Sequence, residues 1–204
     1  IHIPKREPFL IGNGMLRRQG RLVLYGDVGV GKSFLAMQTA LALAKGNDKI
    51  AGYFPTFNPI RVSYIDLEVG EEEWSDRMKV MAQMFDPEAL AEVWYKYVPD
   101  GRIDTWAGQR WLRDEIGYTK PSVLILDPLS QLLTEPEQSN IMRMLTFINV
   151  LRQDFDVAVI LVHHSRKPKP DIPHSINDLT GGGIGAWAET VMYLKQQKDV
   201  SLLS

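Results

Sequence analysis

The chain has 204 residues, enough to fill one core well and few for two, so a single domain is expected. An apolar fraction of 45% and a charged fraction of 24% are those of an ordinary water-soluble protein, and no run approaches the ~20 apolar residues of a membrane helix. A net charge of −2 supplies no general basic field for a nucleic acid; the absence of cysteine excludes disulfides, thiolate zinc sites and cysteine nucleophiles, and fits a reducing, intracellular compartment.

The chain starts at Ile1 without a signal pattern and stops at Ser204 just after an apolar run, which reads as a piece of something longer. Runs rich in β-branched and aromatic residues predict strands, and apolar residues three and four apart predict helices. In chain order, a strand at Arg21–Tyr25 precedes a helix at Ser33–Ala44, and a strand at Arg61–Asp66 precedes a helix at Glu71–Phe85. A strand at Val93–Val98 leads to a helix at Thr105–Gly117, and one at Val123–Leu126 to a helix at Ser139–Phe155. That last helix places Ile141, Met144, Leu145, Ile148, Leu151 and Phe155 on one face. Strands at Val157–Val162 and Thr190–Leu194 complete the pattern, separated by an irregular stretch, Ser165–Gly185, that contains Pro168, Pro170 and Pro173. Alternating strands and helices predict an α/β fold: a mostly parallel sheet with helices on both faces, right-handed crossovers, and ligands at the carboxyl ends of the strands.

Gly26, Gly31, Lys32 and Ser33 fit G-x-x-x-x-G-K-[ST], after a predicted strand and before a predicted helix. The mechanism needs that context. Glycines let the chain curl so that successive amides face inward, and the helix start adds partial positive charge. The segment Gly26, Asp27, Val28, Gly29, Val30, Gly31, Lys32, Ser33 and Phe34 is therefore expected to wrap a nucleoside triphosphate, with Lys32 on the outer phosphates and Ser33 on Mg2+. Asp127, at the end of VLILD, is the expected second Mg2+ holder; on its own, an aspartate before Pro128 also reads as a strand-ending turn. Asp66 and Glu68, just beyond the second strand, are carboxylates positioned to activate water, although Glu68 also reads as part of an acidic helix start with Glu71–Glu73.

With these motifs the chain resembles the RecA-like P-loop ATPases, in particular the RepA-like branch of hexameric replicative helicases, with relatives of the DnaB, RadA and KaiC types. The residues that carry the resemblance are PFLIGNGMLRRQGRLVLYGDVGVGKS, YIDLEVGEEEWSDRM, VLILDPLSQLL, VILVHHSRK and DLTGGGIGAWAETVMYL. It implies ATP and Mg2+ as ligands, Glu68 as catalytic base, and His164, the second of the strand-end pair His163–His164, as sensor of the terminal phosphate. It also implies a ring-forming, phage- or plasmid-like helicase motor on single-stranded DNA, with a recombination or regulatory ATPase that unwinds nothing as the alternative.

Arg166, Lys167 and Lys169, with Gly181, Gly182 and Gly183, lie where the resembled proteins keep a DNA-contacting loop; a solvated basic loop has the same composition. Trp74, Trp94, Trp106, Trp111 and Trp187, and Met78, Met81 and Met84, read as packing residues. His2 and His174 have no such context. Two departures from the resembled family matter: DLTGGGIGAWAETVMYL has no arginine to reach a neighbour's phosphate, with Lys195 and Lys198 as the nearest substitutes, and the extra domains that specify a recombinase, a primase fusion or a clock protein are missing.

Overall fold

The computed structural model describes residues 9–83, 87–98, 100–135, 137–164, 183–197 and 200–203. A hairpin of β1 (Phe9–Ile11) and β2 (Leu16–Arg17) precedes β3 (Arg21–Gly26) and α1 (Lys32–Lys45). A second small hairpin, β4 (Lys49–Ile50) and β5 (Phe54–Pro55), leads to β6 (Val62–Asp66), α2 (Glu71–Ala82), α3 (Pro87–Ala91) and β7 (Val93–Tyr97). Then follow α4 (Trp106–Thr119), β8 (Val123–Asp127), a 3-10 turn at Leu129–Leu132, α5 (Gln138–Phe155) and β9 (Ala158–His164). The described chain closes with α6 (Gly183–Trp187), β10 (Thr190–Gln197) and β11 (Val200–Leu203).

The main sheet has the order β11-β10-β3-β9-β8-β6-β7, parallel throughout except for the antiparallel β10–β11 pair. Each strand alternates its side chains between two cores, as a pleated strand must. Leu22, Leu24, Val62, Tyr64, Val123, Ile125, Ile160 and Val162 face one core, filled by Ala36, Met37, Ala40 and Leu41 of α1 and Trp74 and Met81 of α2. Val23, Tyr25, Ile65, Leu124, Leu126, Val159 and Leu161 face the other, filled by Leu112 and Ile116 of α4, the predicted face of α5, and Ile184 and Trp187 of α6. Burial on both faces is why these strands are continuously apolar in sequence.

The six predicted strands and four predicted helices are all present, with ends moved by a few residues. The helix expected to reach Phe85 is described only to Ala82. Within the stretch expected to be irregular, residues 183–187 form α6, and a Cβ on Gly183 would meet Met142 Sδ at 2.4 Å. Gly183 thus starts α6 and lies against the side chain of Met142 on α5. Trp94 and Trp106 are not core residues: they are 43% and 74% exposed, whereas Trp74 and Trp187 are buried. No described helix is long and apolar enough to cross a membrane.

Candidate nucleotide-binding site

Four strand ends bring the site together. The β3–β9 register sets Gly26 beside His164, and the β6–β8 register sets Asp66 beside Asp127, so the segments after β3, β6, β8 and β9 meet at one edge of the sheet. Gly26 must be glycine for packing, because a Cβ there would lie 2.1 Å from the carbonyl oxygen of Leu194 on β10. Gly29 (φ 78°) and Gly31 (φ 98°) hold the left-handed turns of the loop, and a Cβ on either would meet nothing within 4 Å. No side chain caps the first turn of α1 and no acidic residue sits in it, in contrast to α2, which begins with Glu71, Glu72 and Glu73. The amides and positive pole of α1 are thus presented to an anion without an internal competitor.

Lys32 is only 4% exposed, and its Nζ donates to the Asp27 carbonyl at 2.6 Å, which holds the ammonium over the loop. Burial pulls its pKa down, and Asp127, Asp27 and Glu68 oppose that, so the cation lies in the field of three carboxylates. Asp127 is 5% exposed; it accepts a hydrogen bond from the Tyr64 hydroxyl at 2.5 Å, and the Ser33 hydroxyl is near enough to favour its charged form. Burial, with the like charges of Asp66 and Glu68, raises its pKa, while these two hydroxyls restrain the rise. A buried carboxylate beside the residue after the loop lysine suits a hard divalent cation, which takes one or two protein oxygens and completes its shell with phosphate and water oxygens. No group of three or more acidic or histidine ligands exists among the described residues. Ser33 and Asp127 are the oxygen donors that would hold Mg2+ bound together with a phosphate chain.

Glu68 and His164 meet across the site, Nε2 to Oε2 at 3.8 Å, and both remain partly exposed. Burial and the nearby Lys32 lower the pKa of His164, against the pull of Glu68. His163 is 5% exposed, and burial, with His164 and Lys32, lowers it to about 4, so it is neutral at physiological pH. Asp66 differs from Glu68. It accepts from the amides of Glu68, Val69 and Gly70, each at 3.0 Å, and from the Tyr95 hydroxyl at 2.7 Å. With four donors and 2% exposure it holds the turn that presents Glu68, and is not itself a base facing water.

Two residues of the site escaped sequence reasoning. Tyr64 is an apolar-strand residue like any other until the register brings its hydroxyl to Asp127. Arg77 pairs with Glu73, stacks at 4.9 Å over Phe34 of the loop-helix junction, and lies close enough to Tyr64 for its charge to be felt there. In sequence it reads as an ordinary i,i+4 surface pair. Val28 and Phe34 stay exposed at the loop, 81% and 44%. Lys195 is exposed and follows Leu194, the β10 residue paired with Gly26. Arg166, Lys167, Lys169 and Lys198 lie outside the described residues.

A parallel α/β sheet with a glycine loop after β3, a buried lysine on the helix that follows and an aspartate at the end of β8 defines the class: the domain has a RecA-like P-loop fold. The AAA domain family model matches residues 2–170, and the chain belongs to that family. Its fold is similar to the crystal structure of the RadB recombinase, with a TM-score of 0.61 over 91% of this chain and 80% of that one. At 17% sequence identity that likeness is one of fold. In all, 475 solved chains match, so fold alone selects no single activity. No curated protein matches the sequence.

Proposed function

We propose that this domain binds and hydrolyses ATP at the loop spanning residues 26–34, and that hydrolysis moves the protein along single-stranded DNA as the motor of a ring-forming, RepA-like replicative helicase. The observation that carries the chemistry is the convergence of Lys32, Asp127 and the Glu68–His164 pair at one sheet edge. In this reading Gly26–Ser33 amides and Lys32 hold the phosphates, and Ser33 and Asp127 hold Mg2+, which would neutralise phosphate charge. Glu68 orients a water and accepts its proton as the water oxygen attacks the γ-phosphorus, and ADP leaves with the former bridging oxygen. His164, in contact with Glu68, senses the loss of the terminal phosphate and passes it to the segment that follows β9.

The likeness to the RadB recombinase favours a second reading, a nucleotide-switched recombination or regulatory ATPase without unwinding activity. One experiment tests the chemistry and another divides the two readings. Glu68→Gln should bind ATP as the parent does while turnover falls roughly 100- to 10,000-fold, the usual contribution of a positioned general base; undiminished turnover excludes Glu68 as the base. Unwinding of a forked duplex, with hydrolysis stimulated by single strands, supports the motor; hydrolysis indifferent to DNA supports the switch.

A further inference from the structure

The end of the sheet remote from the phosphate loop carries a second cluster of charge. Here β3 and β10 begin, at Arg21 and Thr190, whereas the loop leaves β3 at its other end. A cleft of about 1010 Å3 opens between the β1–β2 hairpin, the end of α5 and the start of β10, and Arg17, Arg18, Arg152, Asp156 and Glu189 line it. Its size is at the top of the range for small-molecule pockets, about 300–1,000 Å3.

Its charges do not balance. Arg17 and Arg21 both donate to Glu189 at 3.1 Å, and Arg18 pairs with Asp156, so four guanidinium groups, counting Arg152, face two carboxylates. Arg152 is the anomaly. It is 8% exposed, yet it donates only to neutral oxygens: the Gln19 carbonyl from Nε at 2.8 Å, the same carbonyl from Nη2, and Asn149 Oδ1 from Nη1 at 2.8 Å. No ion pair of Arg152 exists among the described residues. Buried charges are ordinarily paired. Burial lowers the pKa of Arg152 most; the like charges of Arg21 and Arg17 lower it further, against the opposing pull of Glu189. Meanwhile Arg17 and Arg18 are 61% and 49% exposed, and a guanidinium has five donors, so each keeps donors directed outward after making its pair. Phe9, 38% exposed, and Met15 form an apolar wall beside them.

We propose that this cleft binds single-stranded nucleic acid, with Arg17 and Arg18 donating to successive backbone phosphates, Arg152 supplying a fixed charge in the floor, and Phe9 covering the face of an unstacked base. Guanidinium forks match phosphate oxygens, and an exposed aromatic ring accepts any base; the two together suit a single strand better than a free phosphate or an acidic peptide. The partner is the one the motor reading calls for, but neither the phosphate loop nor the segment after β9 is needed for this contact.

Fluorescence anisotropy of a labelled oligothymidylate, without nucleotide and over a series of salt concentrations, tests it. Each single-strand phosphate contact contributes about 0.7 to the slope of log affinity against log salt, so Arg17→Gln/Arg18→Gln should flatten the slope by about 1.4 and weaken binding roughly 25-fold at about 0.1 M salt. Arg17→Lys/Arg18→Lys should keep the slope, and Phe9→Ala should weaken the oligonucleotide but not inorganic tripolyphosphate. ATP turnover without DNA should be unchanged in the glutamine variant, which shows that the site at the far end is folded. The proposal is overturned if the parent does not bind at low salt, or if the glutamine variant binds with parental affinity and slope. It is also overturned if tripolyphosphate or an acidic peptide binds the cleft more tightly than the oligonucleotide. Loss of binding in Arg166→Ala/Lys167→Ala/Lys169→Ala alone would assign the contact to the segment after β9 instead.

Discussion

Replacing Tyr64 by phenylalanine removes one hydroxyl and leaves the ring, packed 4.6 Å from Trp74, where it was. The lost atom is the donor of a 2.5 Å bond to Asp127 Oδ2, and both residues are buried, at 2% and 5% exposure. A buried hydrogen bond to an ionised acceptor is worth about 1.5–3 kcal/mol, and removing the donor leaves the carboxylate short of a partner. Unfolding entropy of about 2.1 cal/mol/K per residue gives roughly 0.4 kcal/mol/K for a chain of this length, so Tm should fall by roughly 3–7 °C. Thermal unfolding followed by circular dichroism at neutral pH measures this. The effect should shrink in acid, because a protonated Asp127 accepts only a neutral hydrogen bond, worth about 1 kcal/mol. ATPase titrations with Mg2+ should show the midpoint moved to higher Mg2+ with kcat less affected, since the hydroxyl orients the oxygen proposed to hold the metal and touches no proposed reacting atom. A Tm within a degree of the parent at neutral pH would refute the argument that Tyr64 supports an ionised Asp127.

The two loop glycines should fail differently. Gly26→Ala puts a Cβ 2.1 Å from the Leu194 carbonyl oxygen, a clash with neighbouring backbone that should destabilise by about 1–3 kcal/mol in a denaturant melt. Gly29→Ala meets no atom within 4 Å but must hold φ 78°, so about 1–2 kcal/mol of strain and a loosened phosphate loop are expected, with weaker ATP binding as the readout. The buried histidine predicts a pH slope. His163 has its folded-state pKa lowered to about 4 from 6.5, so between those values the unfolded chain binds more protons and stability rises with pH. The lowered pKa corresponds to about 3 kcal/mol over that window, lost progressively as pH falls below 6.5, and His163→Gln should flatten the curve there. A variant with the parental pH slope would show that the imidazole is free to ionise.

The parts of the site that were legible in sequence are those whose chemistry is local. Gly26–Ser33 is one continuous turn, and its neighbours on both sides are the strand and helix that its function requires. Asp127 and Glu68 were visible because each ends an apolar run. The α5 face was visible because Ile141, Met144, Leu145, Ile148 and Leu151 repeat with the helical period, and all five are buried. What was missed depends on register and exposure. The hairpins β1–β2 and β4–β5 have strands of two or three residues, too short to show alternation. Asp66 and Glu68 look equivalent in sequence, and only the three amides directed at Asp66 separate the anchor of the turn from the carboxylate proposed as base. Trp94 and Trp106 were assigned to packing by residue type, whereas the first lies on the edge strand β7, with its Nε1 on Glu115 at 2.8 Å, and the second opens α4. The arginines of the cleft are scattered from position 17 to 152 and meet only because α5 ends beside the β2–β3 turn.

Everything proposed for the site rests on residues 26–33 holding a triphosphate. Isothermal titration calorimetry with a non-hydrolysable ATP analogue and Mg2+ measures this directly, on folded parent and folded Lys32→Ala. One site per chain in the parent, lost or greatly weakened in the variant and weakened when Mg2+ is chelated, is the predicted result. Absence of binding to the folded parent, or equal affinity in the two proteins, would contradict it.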